Sequence, residues 1–255
     1  MPKRTIAVGD VHGDFEALER LLGLLPPLEP TDTLVFLGDY VDRGPHSAKV
    51  VELLRHDLPQ RTPAKVVALK GNHEDAWLRV VKSGGWPEFS IPPGNGCLAC
   101  LRSFTGSTRQ GEIADDEFLP MLEGKFLPPE VVEWFGSLPY WYEDSNAIYV
   151  HAGLPCVGPR WLHPVMVKDP AIMLWNRDRR FFTEYKGKRV VCGHTTTTTL
   201  PQELSHYTPE CDNDLFQGDY VFAIDTGGGK PGGFLTAIEL PTGKVYESRF
   251  KDGKQ

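Results

Sequence analysis

Side chains of the types that bind metal ions recur along the chain, each close to a glycine. Asp10 and His12 stand two residues apart in a glycine-flanked loop, and Asp39 follows Gly38. The pattern returns at three later places, namely Asn72 with His73, His151, and His194. A single aspartate of this kind usually belongs to a turn, and a single histidine usually bonds a backbone carbonyl. Their repetition predicts one shared metal site instead.

Six of these side chains are predicted metal ligands: Asp10, His12, Asp39, Asn72, His151 and His194. Carboxylate, amide and imidazole ligands together suit first-row divalent ions better than calcium or a closed thiolate zinc site. Six ligands are too many for one catalytic ion that keeps positions open for water. We therefore expect two divalent ions that share Asp39, about 3.5–4 Å apart, a pair that can hold a bridging hydroxide and clamp a phosphate. Manganese is our first expectation, and iron or zinc are alternatives that the same ligands tolerate.

Alternating strands and helices must position these residues. Apolar periodicity predicts strands at 5–8, 33–37 and 65–69 and helices at 15–25, 47–54 and 74–81, with Asp14 as an N-cap. Three strand–loop–helix units in succession predict right-handed parallel crossovers. Ligands in such sheets sit just beyond the carboxyl ends of the strands, where the polar clusters fall.

Residues 84–130 have a different character. Glycine and proline are concentrated at 84–87 and 92–96, and a helical region follows. We predict an insertion that forms a small lid over the face with the clusters. The alternative is a surface elaboration unrelated to the substrate.

Strand-forming segments dominate the last third of the chain. They are predicted at 147–150, 189–192 and 220–224, with a hairpin of 234–240 and 244–250. The threonine run 195–199 is predicted either to line the pocket or to form a plain strand.

The composition indicates one soluble domain that spans residues 1–255. A formal net charge of −7 disfavours general nucleic-acid binding. The five cysteines do not form a disulfide framework, and Cys97 and Cys100 are a lone C-x-x-C without a second pair for zinc. Because no signal core or membrane-spanning stretch is present, we expect a cytoplasmic protein without a membrane partner.

Five short motifs occur in a recognisable order: GDVHG (9–13), GDYVDRG (38–44), GNHE (71–74), HAG (151–153) and GHT (193–195). Together they resemble the PPP-type serine/threonine phosphatases of the calcineurin-like metallophosphoesterase superfamily, over residues 5 to about 240. Asp225-Thr226-Gly227 stands where the eukaryotic members carry Ser-Ala-Pro-Asn-Tyr, so the chain looks like the bacterial and phage-type branch. The resemblance implies an α/β fold in which a sandwich of two mixed sheets is flanked by helices in αββα layers.

The resemblance also implies a role for each site residue. Asp10 and His12 would bind the first metal, Asp39 would bridge, and the second metal would be bound by Asn72, His151 and His194. The implied catalytic residues are His73 as general acid, Asp42 as its hydrogen-bond partner, and Arg43 and Arg177 as phosphate ligands. Water activated by the metal pair would attack phosphorus directly, without a phosphoenzyme.

The leading functional hypothesis is a serine/threonine protein phosphatase that also accepts phosphotyrosine. Its partner would be a phosphorylated protein or peptide, or a small phosphoester. The segment 40–43 and Glu74 favour the protein-phosphatase hypothesis. One alternative is a nucleotide pyrophosphohydrolase that acts on diadenosine tetraphosphate or a capped RNA end. An alternative of another class is a non-catalytic metal protein that docks phosphoproteins.

Overall fold

The first strands of the protein carry apolar side chains on both faces. In the computed structural model, which describes residues 3–86 and 95–249, strand β1 (Thr5–Val8) directs Ile6 and Val8 toward helices and Ala7 toward a second sheet. A strand covered on both faces needs a continuous apolar run and not an alternating one. That requirement explains why the strand segments of this sequence look uniformly hydrophobic.

Five strands form the first sheet, in the order β12-β11-β1-β2-β3. Strands β1, β2 (Thr33–Phe36) and β3 (Lys65–Ala68) are parallel. Strands β11 (Thr236–Leu240) and β12 (Lys244–Glu247) form an antiparallel hairpin, and β11 pairs antiparallel with β1.

Five further strands form the second sheet, in the order β4-β5-β8-β10-β9. Its central strands β5 (Ile148–Val150), β8 (Val190–Cys192) and β10 (Val221–Ala223) are parallel. The edge strands β4 (Trp141–Glu143) and β9 (Phe216–Gln217) are antiparallel to their neighbours. A small separate hairpin consists of β6 (Cys156–Val157) and β7 (Arg160–Trp161).

Helices pack on the outer faces of both sheets. They are α1 (Phe15–Leu24), α2 (Ser47–Glu52), α3 (Leu58–Arg61), α4 (Asn72–Ser83), α5 (Cys97–Thr105), α6 (Asp115–Glu123), α7 (Pro129–Ser137), α8 (Ile172–Trp175) and α9 (Arg179–Glu184). A π-helical turn (Leu53–Asp57) joins α2 to α3. Single 3₁₀ turns lie at Pro164–Met166, Thr197–Thr199 and Gln202–Leu204.

The apolar core lies in three layers. The layer between the sheets includes Val35, Tyr149 and Ile238. A second layer packs α1, α2 and α4–α7 on the first sheet, and a third packs the region around α8 and α9 on the second sheet. The predicted αββα sandwich of two mixed sheets is thereby confirmed.

Most predicted elements are present, with bounds that differ by up to three residues. Asp14 caps α1 as predicted, since its Oδ1 accepts the amide of Ala17 at 3.1 Å. The helix predicted at 47–54 runs on to Arg61 through the π-helical turn. The strand alternative for the threonine run is wrong, because these residues form a 3₁₀ turn.

The predicted insertion contributes α5 and α6 to the layer on the first sheet. The part of the insertion at 87–94, where glycine and proline are frequent, lies outside the described residues. The lid therefore remains a prediction. Cys97 and Cys100 are buried in this layer, and burial raises the pKa of both thiols, which favours their protonated form. No helix in residues 3–86 and 95–249 has the length and apolarity to cross a bilayer.

Candidate metal centre

The carboxyl ends of the parallel strands in both sheets meet at one place. The backbone amides of Val11 and His12 donate to the carbonyl of Asp39 at 3.1 and 2.8 Å, which joins the loops after β1 and β2. The amide of His194, after β8 in the second sheet, donates to both carboxylate oxygens of Asp10 at 3.1 Å. The loops that carry the predicted ligands are therefore linked to one another directly.

Glycines beside the ligands permit this close approach. A Cβ atom at Gly193 would lie 2.0 Å from Asp10 Oδ1, and one at Gly71 would lie 2.2 Å from Asp39 Oδ1. Any larger residue at either position would push a carboxylate away. The recurrence of glycine in the sequence motifs follows from this packing.

The backbone at the centre is held in an unfavourable conformation. The residues other than glycine that have a positive φ in the described chain are His12, Asp39, Asp42, Arg43 and His194, with φ between 46° and 70°. Each such residue costs of order 1–3 kcal/mol and persists only where the surroundings impose the conformation. All five were predicted as site residues from the sequence.

The first cluster joins both sheet-end carboxylates to one imidazole. His12 Nε2 lies 3.4 Å from Asp39 Oδ2 and 3.9 Å from Asp10 Oδ2. The other ring nitrogen, Nδ1, lies 2.9 Å from the carbonyl of Val41 and must donate to it. In a neutral imidazole Nε2 then carries a lone pair, which faces the two carboxylates.

The second cluster surrounds the side-chain oxygen of Asn72. His151 Nε2 and His194 Nδ1 lie 2.8 and 2.7 Å from Asn72 Oδ1, and His151 Nε2 lies 3.4 Å from Asp39 Oδ1. His151 Nδ1 donates to the carbonyl of Leu37 at 2.8 Å, which leaves a lone pair on Nε2. Lone-pair atoms of three side chains thus converge.

The electrostatics of both clusters favour a bound cation. Burial lowers the pKa of His12 and of His151, so both imidazoles are neutral near pH 7. Burial, together with the charges of Asp225 and Asp39, raises the pKa of Asp10 well above its usual range. Nε2 of His12 is buried without a hydrogen-bond partner. Buried lone pairs and crowded carboxylates are what a divalent ion stabilises, so the donor set fits the predicted metals.

Asp39 lies between the clusters. Its Oδ2 faces His12 and its Oδ1 faces His151, both at 3.4 Å from the nearest ring nitrogen. This arrangement allows one carboxylate to be shared by two ion positions. The buried His and Asp groups are therefore consistent with a dinuclear metal site.

His73 and Asp42 form a buried pair beside the first cluster. His73 Nδ1 lies 2.6 Å from Asp42 Oδ2, and His73 Nε2 lies 3.8 Å from Asp39 Oδ2. Burial lowers the pKa of His73, but Asp39 and Asp42 outweigh it, so the pKa is raised above 6.5. The imidazole faces the centre through Nε2, and the raised pKa favours the protonated form that a general acid needs.

Two arginines border the centre. Arg43 Nη1 is buried without a hydrogen-bond partner, and the Arg43 amide donates to the carbonyl of Gly96 at 3.2 Å. Arg177 is exposed and donates from Nη1 to the carbonyl of His194 at 3.4 Å. Neither guanidinium has a carboxylate partner among the residues that the structure describes, so both are available to an anion.

Three residues at the centre were not predicted to serve the site itself. Glu74 accepts the amides of Asp39, Tyr40 and Gly71 at 2.8–3.0 Å, and burial raises its pKa to about 7. Trp77 Nε1 donates to the carboxylate of Asp42. Lys230 Nζ donates to the hydroxyl of Thr196, which follows His194 by two residues in the chain. Trp77 has a signal in the sequence, because it follows His73 by four residues on one helix face.

Comparison with known proteins gives a family match and several relatives. A family model described as calcineurin-like phosphoesterase matches residues 3–198. The symmetrical bis(5'-nucleosyl)-tetraphosphatase of Coxiella burnetii is 30% identical over 165 residues, which are 63% of this chain and 44% of that protein. A PP2A-like serine/threonine-protein phosphatase of Saccharomyces cerevisiae is 33% identical over 111 residues, covering 44% of this chain and 26% of the relative.

A solved structure supports the fold. The crystal structure of a candidate diadenosine tetraphosphatase matches with a TM-score of 0.60 at 22% identity, covering 98% of this chain and 95% of that chain. At this identity the likeness concerns the fold alone. The alignment with the bis(5'-nucleosyl)-tetraphosphatase of Coxiella burnetii, by contrast, covers 44% of the length of that protein.

Replacing Asp39 should lower the metal content of the centre. In the Asp39→Asn variant we expect about one divalent ion per chain or fewer, against about two in the wild type, because the shared ligand loses its charge. Elemental analysis after dialysis against Mn²⁺ measures this. In the wild type, Mn²⁺ at ~100 times its Kd should raise the free energy of unfolding by roughly 2.7 kcal/mol.

Asp32→Asn is the matched control, since Asp32 is a buried aspartate that pairs with Arg4 away from the centre. It should lower stability and leave metal content unchanged. Full metal loading of Asp39→Asn would contradict the shared-ligand arrangement.

Proposed function

The chain belongs to the calcineurin-like phosphoesterase family, and on that basis we propose that it is a two-metal phosphoester hydrolase whose ions are held by Asp10, His12, Asp39, Asn72, His151 and His194. The observation that carries the proposal is the position of Asp39, with one oxygen directed at each imidazole cluster. A non-catalytic docking role is disfavoured, because a docking protein does not need the buried pair of His73 and Asp42.

The residues around the metals divide the reaction between them. Two bound divalent ions would supply Lewis-acid charge and lower the pKa of water. The oxygen of a water that has released one proton to solvent forms a bond to phosphorus, and the bond from phosphorus to the leaving oxygen breaks. His73 donates the proton from Nε2 to that leaving oxygen, while Asp42 stabilises the imidazolium through Nδ1.

Arg43 and Arg177 bind the remaining phosphate oxygens in this proposal. Planar guanidinium groups suit bidentate contact with phosphate, and neither arginine is neutralised by a carboxylate of the described chain. A protein of net charge −7 thereby presents a locally positive pocket to its anionic substrate.

Removing the general acid should slow hydrolysis of substrates with poor leaving groups. His73→Asn is expected to lower kcat on phenyl phosphate by at least roughly 10²-fold, the usual size of general-acid catalysis. The loss on p-nitrophenyl phosphate should be smaller, because the more acidic phenol leaves without a proton. Steady-state rates measure both.

Metal content of His73→Asn should equal that of the wild type, which separates the proton donor from the ligands. Equal losses on the two substrates, or no loss, would remove His73 from the proposed mechanism.

For the substrate, we propose a dinucleoside polyphosphate. The named relative that aligns with the larger part of the chain is a bis(5'-nucleosyl)-tetraphosphatase, and this favours the alternative over the leading hypothesis of a protein phosphatase. The residues beside the metal centre add a physical reason. Lys230 Nζ donates to Thr196 Oγ1 at 3.0 Å, and Thr196 follows His194 by two residues.

Lys230 stands on a glycine-rich loop that packs against the centre. A Cβ atom at Gly229 would lie 2.6 Å from the carbonyl of His12 and 3.3 Å from Arg43 Cβ. The exposed lysine has a hydroxyl and no carboxylate as its partner within the described chain. Arg43, Arg177 and Lys230 therefore offer more positive charge than one phosphoryl group needs.

A phosphoprotein remains the second candidate substrate. The GDYVDRG and GNHE motifs favour it, as does the partial similarity to a serine/threonine-protein phosphatase. Its alkoxide leaving group also needs the proton of His73 more than a nucleotide phosphate does.

Rates on the two substrate classes decide between them. We expect kcat/KM for diadenosine tetraphosphate to exceed that for a phosphoserine peptide by at least about 10-fold, a difference of roughly 1.4 kcal/mol in transition-state stabilisation. Release of nucleoside diphosphate and of inorganic phosphate, measured with the Mn²⁺-loaded protein, gives both values. A higher value for the peptide would restore the protein-phosphatase hypothesis.

Removing the charge of Lys230 should slow the hydrolysis of a polyphosphate and leave that of a phosphate monoester unchanged. Lys230→Met is expected to lower kcat/KM for diadenosine tetraphosphate about 10-fold, the effect of losing one charge-assisted contact. The rate on p-nitrophenyl phosphate should stay within about two-fold. Lys82→Met, at an exposed site on α4, is the control and should change neither rate. Equal losses on both substrates for Lys230→Met would contradict a role in polyphosphate recognition.

A further inference from the structure

Two donors hold the carboxylate of Asp42, and the mechanism above uses only one of them. His73 Nδ1 lies 2.6 Å from Asp42 Oδ2. Trp77 Nε1 donates to Oδ1 at 3.0 Å and to Oδ2 at 3.2 Å. Asp42 is 0% and Trp77 1% exposed. Since no bulk water competes at this depth, the two donors decide how the carboxylate is oriented.

The spacing of the donors follows from the helix that carries them. His73 and Trp77 are four residues apart on α4, so their side chains project from one face. That helix face carries His73, the proposed proton donor, and Trp77. Both donate to Asp42. A small rotation of Asp42 would move the hydrogen bond that orients His73.

The chemistry of an indole suits this position. An indole N–H is a neutral donor that cannot accept or transfer charge. A lysine or arginine would pair with the carboxylate and compete with His73 for its negative charge. Within residues 3–86 and 95–249 the ion-pair partner of Asp42 is His73. Trp77 can therefore orient Asp42 while its charge remains directed at the imidazole.

Aromatic packing fixes the indole from the opposite side. The rings of Trp86 and Phe126 contact Trp77 edge-on, at centroid distances of 5.4 and 5.0 Å. Both belong to the predicted insertion of residues 84–130. Two such contacts in a buried layer hold the indole in one rotamer, so its N–H remains directed at Asp42.

We propose that Trp77 is a positioning residue that orients Asp42 and, through it, the proton-donating imidazole of His73. The inference rests on the proposed general-acid role of His73. It adds a third member to that pair, supplied by α4 and packed by the insertion.

Trp77→Phe tests the proposal, because phenylalanine keeps an aromatic ring and lacks the N–H. We expect kcat on phenyl phosphate to fall about 10-fold, a part of the ~10²–10⁴-fold effect of a general acid. On p-nitrophenyl phosphate the loss should stay below about two-fold, since little proton transfer is needed there. Metal content should not change. A purely structural role would lower both rates together.

Two further variants separate the possible outcomes. Trp161→Phe makes the same substitution in the layer on the second sheet, where Trp161 packs on Phe181, and should leave the ratio of the two rates unchanged. If His73→Asn changes that ratio and Trp77→Phe does not, the positioning role is wrong and the proposed function stands. If neither changes it, the general-acid assignment fails, and the role of Trp77 fails with it.

Nuclear magnetic resonance of the wild type gives a test that does not depend on how the variant folds. Among the indole N–H groups of the six tryptophans, that of Trp77 should exchange with solvent most slowly, because it is buried and donates to a carboxylate. Rapid exchange of the Trp77 proton would overturn the proposal.

Discussion

The convergence of buried lone pairs on Asp39 is the constraint on which the rest of the site depends. Two carboxylates, an amide oxygen and three imidazoles are brought together at the junction of two sheets, and several of these atoms lie within 2.7–3.9 Å of one another. Without a cation such a cluster is costly, because burial removes the water that would stabilise each charge. Bound divalent ions would convert this cost into binding energy. Metal binding would therefore stabilise the sandwich.

The unusual backbone of the site follows from the same constraint. Positive φ angles at His12, Asp39 and His194 direct side chains from several strand ends at one point, which no regular strand or helix termination would do. Hydrogen bonds between the loops keep these conformations in place, and Glu74 bonds three amides across two of the loops. Strain at the ligands is thus balanced by a buried network, which agrees with the general occurrence of strain at functional sites.

The sequence signals for the predicted ligands are local. A strand, a glycine and a ligand-type residue occur within a few positions each time, and parallel crossover topology brings those positions to one edge. The sandwich of two mixed sheets was instead implied by the family resemblance that the motifs carry. By contrast, the π-helical turn after α2 and the 3₁₀ turn in the threonine run depend on packing against other elements, which local patterns do not record. Trp77 and Lys230 meet the site through contacts that single motifs do not describe.

The proposed function separates the metal ligands from the residues that surround them. The ligands would fix the position of phosphorus, whatever group it carries. Here the glycine-rich loop places Lys230 on one side of that position, and the insertion places Trp86 and Phe126 behind the acid pair on another. In the proposed mechanism the first contact would act on the bound substrate through charge, and the second would act on the proton donor through packing. Substrate preference and proton delivery would then be controlled by separate segments of this chain, and each could change without disturbing the metal ligands.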